Sequence, residues 1–209
     1  MLMVAYKNTN NIDKAFKLYE ELEKRQDLVL DEVFLGVFMR ICAKIHHAEM
    51  AIKVFEKLKE DRQNMTCLPI NSYIKALASR KDYAEKAIET FRAELTGNMQ
   101  PDIDTYISVL KATATIGDVK TAYDVIQYIK EAEMPINKYI YNGLLRTYAG
   151  AISAQITLPS LRDLYMKDAW ELFKNVTIKS PEMVNPVMVD SLLLVHTNGF
   201  EIDKVEGLV

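Results

Sequence analysis

The 209-residue sequence contains few of the residues that interrupt helices or form disulfide bonds. It contains 7 glycines, 6 prolines and 2 cysteines. Scarce glycine and proline favour a mostly helical protein. Two cysteines, Cys42 and Cys67, are too few for a disulfide framework in a chain of this length, which favours a reducing compartment. No run approaches the roughly 18 consecutive apolar residues of a membrane-spanning helix, so no membrane partner is expected.

Motifs for catalysis are also missing. We find no Gly-rich phosphate loop, no serine nucleophile motif and no nuclease-like carboxylate cluster, so no enzyme, small-molecule substrate or cofactor is expected. Cys42 and His46 lie four residues apart on a predicted helix, with His47 beside them, but no second pair completes four metal ligands. They are interpreted as a buried thiol and a surface imidazole, and no metal site is predicted.

The charge balance is slightly acidic. The formal net charge is -3, with 49% hydrophobic and 26% charged residues, which is enough for a folded core. Such a balance does not suggest a protein coated in nucleic-acid-binding charge, although it says nothing about a single face. Residues 1–11 carry no basic leader and are predicted to begin inside a helix, so we expect the natural start, with any targeting peptide, to be missing.

One segment recurs along the chain. It is seen as IDKAFKLYEEL from Ile12, EMAIKVFEKL from Glu49, EKAIETFRAEL from Glu85, VKTAYDVIQYI from Val119 and KDAWELFKNV from Lys167. Its anchor alanines are separated by 36, 36 and 35 residues at Ala15, Ala51, Ala87 and Ala122. A period of about 35 residues indicates a two-helix solenoid unit, and the segment is the second helix of each unit.

The first helix of each unit repeats as well. Its central apolar pairs are Phe38/Met39, Tyr73/Ile74, Val109/Leu110, Leu144/Leu145 and Leu192/Leu193. Together the two patterns predict a single all-α solenoid over 1–209 with about five and a half helix-turn-helix repeats. Their bounds are 1–31 (partial), 32–66, 67–102, 103–137, 138–185 and 186–209 (partial). We expect a right-handed superhelix with the first helices on the concave side. The residues expected to be nearly buried are Ala51, Phe55, Ala87, Phe91, Leu110, Ala122, Leu145, Ala169 and Phe173.

The fifth unit is irregular. Ala122 and Ala169 are 47 residues apart, which predicts an insertion of roughly a dozen residues between the two helices of this unit, at 151–162. Its sequence, AISAQITLPSLR, is more apolar than an ordinary solvent loop. We expect it either to contact a partner or to fold back on its own solenoid.

The repeats resemble the pentatricopeptide repeat family, most clearly in DTYISVLKATATIGDVKTAYDVIQYIKEAEMPIN from Asp104 and KYIYNGLLRTYAGA from Lys138. The tetratricopeptide family favours Trp early in the first helix, Gly after its central Leu and a small residue late in the second helix. This chain has Tyr106 and Tyr141 at the first place and Leu110 and Leu145 at the second. The third place holds Leu22, Leu58, Ile129 and Val176.

The resemblance implies single-stranded RNA in the concave groove, one base per repeat. The family's base-reading pairs fall on Gly36 with Thr66, Asn71 with Asp102, Ile107 with Asn137 and Asn142 with Asn185, and Asp190 has no visible partner. The base-contacting candidates are therefore Asn71, Asp102, Asn137, Asn142 and Asn185. Asn with Asp implies uracil, and Asn with Asn implies a pyrimidine. Gly36 and Ile107 cannot hydrogen-bond a base, which argues against a long specific tract. The asparagines could instead cap the helices.

A second pattern follows from the residues alone. Arg40, Lys75, Lys111 and Arg146 follow the central apolar pair of four successive first helices, at spacings of 35, 36 and 35. Each lies four residues after a reader position and thus on the same helical face. We call these four residues the basic ladder and predict that they contact phosphates, with a solvated polar face as the alternative.

These features lead to two functional hypotheses. The first is an organellar RNA-binding protein acting in RNA metabolism or translation. Because Gly36 and Ile107 cannot hydrogen-bond a base, a scaffold subunit of a large ribonucleoprotein such as a mitochondrial ribosome is favoured. It would contact rRNA and neighbouring proteins in the mitochondrial matrix, or in the plastid stroma. The alternative is a tetratricopeptide-like protein-binding adaptor without RNA contact.

Overall fold

A computed structural model describes residues 2–25, 28, 30–61, 66–95, 101–154 and 158–199. These residues form helices and connecting turns, with no strand among them. Their contacts divide the chain into two compact units, Met1–Thr105 and Tyr106–Val209. None of the described helices has both the length and the apolar character needed to cross a membrane.

Unit 1 alternates first and second helices. The first helices are α1 (Leu2–Asn8), α3 (Glu32–Lys44) and α5 (Cys67–Leu77). The second helices are α2 (Ile12–Glu23), α4 (Ala48–Asp61) and α6 (Ala84–Leu95), with a 3-10 turn at Lys81–Tyr83 before α6. α3 packs between α1 and α5, and each second helix packs on the first helix of its own repeat. The observed order is the helix-turn-helix repetition that the 35-residue period predicts.

Unit 2 continues the alternation. Its first helices are α7 (Ile103–Ile116), which begins three residues before the unit boundary, α9 (Lys138–Ser153) and α11 (Pro186–Gly199). Its second helices are α8 (Val119–Glu131) and α10 (Pro159–Lys179), and a 3-10 turn at Pro181–Met183 leads into α11. α11 packs on α9, while α10 packs on both. Pro101 and Pro135 lie in the connections before α7 and α9, as their missing N–H groups require.

Local sequence explains where several helices begin. Asp31 caps α3 by accepting a hydrogen bond from Phe34 N at 2.6 Å, and Asp118 caps α8 by accepting one from Thr121 N at 3.0 Å. These carboxylates satisfy backbone donors of the first turn that have no partner inside the helix. The turn before α8 also uses Gly117 at φ 75°, a conformation that costs glycine little.

The core is formed by the apolar stripes of successive helices. Eight residues predicted to be buried are at most 1% exposed: Ala51, Phe55, Ala87, Phe91, Leu110, Ala122, Leu145 and Ala169. In unit 1 the aromatic ring late in a second helix stacks on the next first helix. The ring centroids of Tyr19 and Phe38 lie 4.3 Å apart, and those of Phe55 and Tyr73 lie 3.9 Å apart. These stacks stabilise the contact between successive repeats by more than the burial of apolar area alone.

The prediction that Phe173 is nearly buried is wrong. Its side chain is only partly buried, and its ring lies beside Trp170, which is 52% exposed, with 6.5 Å between the ring centroids. α10 packs on α9 and α11, and Phe173 is not among the residues of this helix that are buried. The alanine four residues earlier, Ala169, takes the fully buried position.

The expected insertion in the fifth unit is largely helical. α9 extends to Ser153 and α10 begins at Pro159, so only a short connection remains, of which 155–157 lie outside the described residues. Pro159 occupies the first turn of α10, where its missing N–H costs nothing. α10 therefore has 21 residues, whereas the other second helices have 12 to 14. Leu158 and Leu161 are 62% and 38% exposed, and the partner contact remains a prediction.

Candidate nucleic-acid interface

A groove of about 630 Å³ runs across the first helices of unit 2. α7 contributes Ile107 and Lys111, α9 contributes Asn142 and Arg146, and α11 contributes Leu194. On each of α7 and α9 the reader position and the ladder position are four residues apart, so one helical turn brings both to the groove. The groove is thus lined by two cations, by the amides of Asn142 and Asn198, and by apolar side chains.

The basic ladder is seen separately in the two units. In unit 2 Lys111 and Arg146 are exposed and line the same groove. In unit 1 Lys75 on α5 is exposed and Arg40 on the adjoining α3 is partly buried. Exposed cations that are one repeat apart can each meet a phosphate without first losing their hydration to a buried site.

The fifth-unit pair, Asn142 and Asn185, is brought into direct contact. Each side-chain amide lies 3.4 Å from the oxygen of the other, so the two groups can exchange hydrogen bonds. Asn185 also donates to Met183 O at 2.9 Å and accepts from Met188 N at 3.3 Å at the start of α11. Asn142 is only 8% exposed. Asn142, which lines the groove, is therefore held by a contact inside the protein.

The third-unit pair, Asn71 and Asp102, is arranged differently. Asp102 turns to its own helix and accepts from Thr105 N at 2.7 Å and from Thr105 Oγ1 at 2.6 Å. Asn71 is 7% exposed, and its Oδ1 is buried with no hydrogen-bond partner in the described part of the chain. Asp102 thus caps the start of α7. Asn71 does not cap its helix, because it lies inside α5.

Two other residues of the base-reading pairs, Asn137 and Thr66, form hydrogen bonds within the protein. Asn137 caps α9 by accepting from Tyr139 N at 2.9 Å and from Ile140 N at 3.2 Å. Thr66, at the end of the second repeat (32–66), donates from its backbone N to Glu32 Oε2 at 3.0 Å. The Asn137 bonds are local to the start of α9. The Thr66 bond instead joins the start of α5 to the start of α3.

Two lining residues were missed by sequence reasoning. Tyr139 lines the groove and is 55% exposed, with Lys138 Nζ 5.4 Å from its ring centroid. Leu194 occupies in α11 the place that the basic ladder occupies in α7 and α9, and it is 49% exposed. The spacing from Asp190 to Leu194 could have identified it, and it marks where the ladder stops.

Small residues let α7 and α9 approach closely beneath the groove. A Cβ atom added to Gly143 would lie 2.8 Å from Leu110 Cβ, and one added to Gly150 would overlap the carbonyl oxygen of Ala114. Both distances are shorter than real Cβ contacts, so these two positions require glycine. The close approach fixes the separation of Lys111 and Arg146, which extend from the same two helices.

Many of the acidic residues lie on the second helices. The second helices carry partly or fully exposed carboxylates at Glu20, Glu21, Glu56, Glu85, Glu89, Asp124 and Asp168. One of them, Asp168, accepts a hydrogen bond from Tyr123 Oη at 3.1 Å, and Tyr123 Oη lies 2.5 Å from Tyr148 Oη. Burial raises the pKa of the Tyr148 hydroxyl well above its usual range. A negative net charge is thus compatible with a basic groove on the first helices.

Metal ligation has no counterpart in the described ranges. No three His, Cys, Asp or Glu side chains gather there as they would around an ion. His46 Nδ1 instead lies 3.0 Å from Ser79 O, and Cys42 is fully buried. Burial raises the pKa of the Cys42 thiol to about 12, which keeps it protonated at neutral pH.

Comparison with known proteins gives consistent relatives. Residues 95–151 match the family model described as "Pentatricopeptide repeat domain". The Arabidopsis thaliana "Pentatricopeptide repeat-containing protein At2g01860" is 24% identical over 151 residues, 72% of this chain and 31% of that protein. The Arabidopsis thaliana "Pentatricopeptide repeat-containing protein At3g16610" is 24% identical over 155 residues, 73% of this chain and 23% of that protein. The chain spans less than a third of either relative.

Solved structures show the same fold. The pentatricopeptide repeat protein PPR10, in complex with an 18-nt psaJ RNA element, matches with a TM-score of 0.59 and 15% identity. That match covers 98% of this chain and 33% of PPR10. The nuclear proteinaceous RNase P 2 from A. thaliana matches with a TM-score of 0.64 and 13% identity, over 96% of this chain and 42% of that one. Both similarities identify the arrangement of paired, stacked helices.

Proposed function

We propose that this chain, which belongs to the pentatricopeptide repeat family, binds single-stranded RNA along the first-helix face of its repeats. The observation that carries the proposal is the groove of unit 2, where the exposed Lys111 and Arg146 flank the buried amide of Asn142. Similar fold and family relatives support the RNA partner, since PPR10 is a member of the same fold with RNA bound.

The mode of binding follows from the chemistry of the side chains. Cations recur every 35 to 36 residues, once per repeat, which suits a polymer whose phosphates also repeat. Each neutralised phosphate releases bound counterions, and this release favours binding. Gly36 and Ile107 supply no hydrogen-bonding group to a base. Two of the four complete repeats therefore hold RNA without reading it, and most of the affinity should come from phosphate contacts.

A protein of this kind suits a structural place in RNA metabolism or translation. We propose a scaffold subunit of a large ribonucleoprotein such as a mitochondrial ribosome, in the mitochondrial matrix or, alternatively, the plastid stroma. Neighbouring proteins would contact surfaces away from the groove, with the exposed Leu158 and Leu161 of the fifth repeat as one candidate. Two acidic cysteine-poor units without a disulfide framework agree with such a reducing compartment.

The experiment is the salt dependence of single-stranded RNA binding. Each lost phosphate contact makes the slope of log binding constant against log salt concentration less steep by about 0.7. Replacing Arg40, Lys75, Lys111 and Arg146 by Gln should therefore make this slope less steep by about 2.8. The double variant Lys111→Gln/Arg146→Gln should lower it by about 1.4. The matched control replaces four exposed second-helix lysines, Lys17, Lys120, Lys130 and Lys174, which removes the same charge from another surface.

The control should leave the slope within a few tenths of the unmodified chain, because distant charges are screened at physiological salt. If the slope became less steep by the same amount in both quadruple variants, the change would come from net charge alone and not from the position of the basic ladder. A slope that is unchanged in the ladder variant would overturn RNA binding through this face and favour the protein-binding adaptor.

A further inference from the structure

The groove of unit 2 changes its chemistry between α9 and α11. Lys111 and Arg146 occupy the ladder position of α7 and α9, and both line the groove. The ladder position of α11 is Leu194, which lines the same groove and is 49% exposed. From one repeat to the next, an aliphatic side chain thus replaces the recurring cation.

α11 also carries a negative charge on this side. Asp190 is exposed, and it follows Val187 by three residues and precedes Leu194 by four. Residues three and four apart share one face of a helix, so Asp190 lies on the face whose other two residues line the groove. The same place in the second to fifth repeats holds uncharged residues, which are Gly36, Asn71, Ile107 and Asn142.

Two other polar side chains of α11, His196 and Asn198, already have contacts within the protein. The ring of His196 lies beside that of Trp170 on α10, with 6.0 Å between the ring centroids. Asn198 lines the groove, but its amide donates to Ala149 O at 3.1 Å. The sequence of α11 contains neither lysine nor arginine. The α11 side of the groove therefore combines aliphatic groups with a carboxylate and brings no Lys or Arg cation to the RNA.

We infer that Asp190 and Leu194 end the RNA-binding face at α11, an inference that rests on the proposed binding of single-stranded RNA. A phosphate placed at Leu194 would lose water without gaining a cation, and removing a charge from water without a partner is costly. The phosphate would also meet a carboxylate of like sign on the same helical face. The strand therefore follows the cations over α7 and α9 and leaves the groove before α11.

This boundary sets the length of RNA that the chain holds. Binding strengthens with strand length only while each added phosphate reaches a further cation, because phosphate neutralisation supplies the affinity. A cation at position 194, together with removal of the carboxylate at position 190, supplies one more contact. The double variant Leu194→Lys/Asp190→Asn should therefore move the end of the RNA-binding face by one repeat.

The test measures the Kd of the unmodified chain and of this double variant for a length series of oligouridine at several salt concentrations. In the variant, the slope of log binding constant against log salt concentration should become steeper by about 0.7. The strand length at which the Kd stops falling should increase by about one nucleotide. Leu194→Arg/Asp190→Asn repeats the measurement with the guanidinium group that α9 carries at this position.

The matched control is Ile178→Lys/Glu171→Gln, which makes the same change of charge at two exposed positions of the second helix α10. It should keep the saturating length of the unmodified chain and its slope within a few tenths, because distant charges are screened. An unchanged slope and length in both position-194 variants, or equal changes in the control, would overturn the inference while RNA binding stands. Absence of salt-dependent binding by the unmodified chain at every length would overturn the proposed function and the inference with it.

Discussion

The hydroxyl oxygens of Thr113 on α7 and Thr147 on α9 lie 2.9 Å apart in the buried interface between two first helices. Thr113 also lies within hydrogen-bond distance of Leu110 O, and Thr147 of Gly143 O, at 2.9 Å each. Both hydroxyls are completely buried. The contact joins the two helices that hold the cations of the groove, so its stability bears on the interface as well as on the fold.

The first prediction concerns this pair. Thr113→Val and Thr147→Val should each cost about 0.5–1.5 kcal/mol of unfolding free energy, since each removes the partner of a buried hydroxyl. The double variant should cost less than the sum, because no hydroxyl is then left to be satisfied. Urea unfolding of the four proteins in this cycle measures the coupling. Simple additivity would show that the two hydroxyls act independently.

A second prediction uses the buried ring of Phe91, which is 1% exposed. Phe91→Ala should lower the free energy of unfolding by about 3–5 kcal/mol, because it removes a large apolar side chain and leaves a cavity. Phe173→Ala is the matched control at an only partly buried phenylalanine and should cost clearly less. Chemical denaturation measures both values. Equal losses would mean that the partial exposure of Phe173 does not persist in solution.

A third prediction addresses the close approach of α9 to α7. Gly143→Ala forces a Cβ atom to within 2.8 Å of Leu110 Cβ and should cost about 1–3 kcal/mol. Gly36→Ala meets the flexible side chain of Leu68 at 3.2 Å and should cost much less. Thermal unfolding of both variants tests the ranking. A reversed order would contradict the packing of α7 against α9.

The fourth prediction is a loss of stability in alkali. Burial raises the pKa of the Cys42 thiol to about 12 and that of the Tyr73 hydroxyl to about 12. Both groups ionise earlier in the unfolded chain, with ordinary pKa values of about 8.5 and 10. The unfolded state therefore binds fewer protons, and stability should be complete below about pH 8.5 and fall as the pH rises toward 12.

The contribution of Cys42 can be isolated near pH 9, where tyrosine is still mostly protonated in both states. The slope of unfolding free energy against pH approaches 1.4 kcal/mol per unit for one group. Cys42→Ala should flatten the slope in this window, and Cys67→Ala, at the more exposed cysteine, should not. Equal flattening in both variants would remove burial of Cys42 as the cause.

Much of this protein follows from its sequence alone. The recurrence of alanine every 35 to 36 residues and the apolar pairs of the first helices predict the alternation of helices, because a two-helix unit buries its stripe only against its neighbours. The same period places Arg40, Lys75, Lys111 and Arg146 at one position of each unit. Insertion 151–162 was only partly predictable, since Pro159 reads as a loop residue and in fact begins α10.

Tertiary structure decides the finer chemistry of the candidate site residues. Sequence assigns one role to Asn71 and Asn142. Packing shows that Asn142 can exchange hydrogen bonds with Asn185, whereas Asn71 Oδ1 has no partner among the described residues. It also decides that Asp102 and Asn137 cap helices, that Phe173 is partly exposed, and that Lys111 and Arg146 share a groove. Periodicity records which residues face the same way, whereas distances and unpaired atoms arise only when the helices meet.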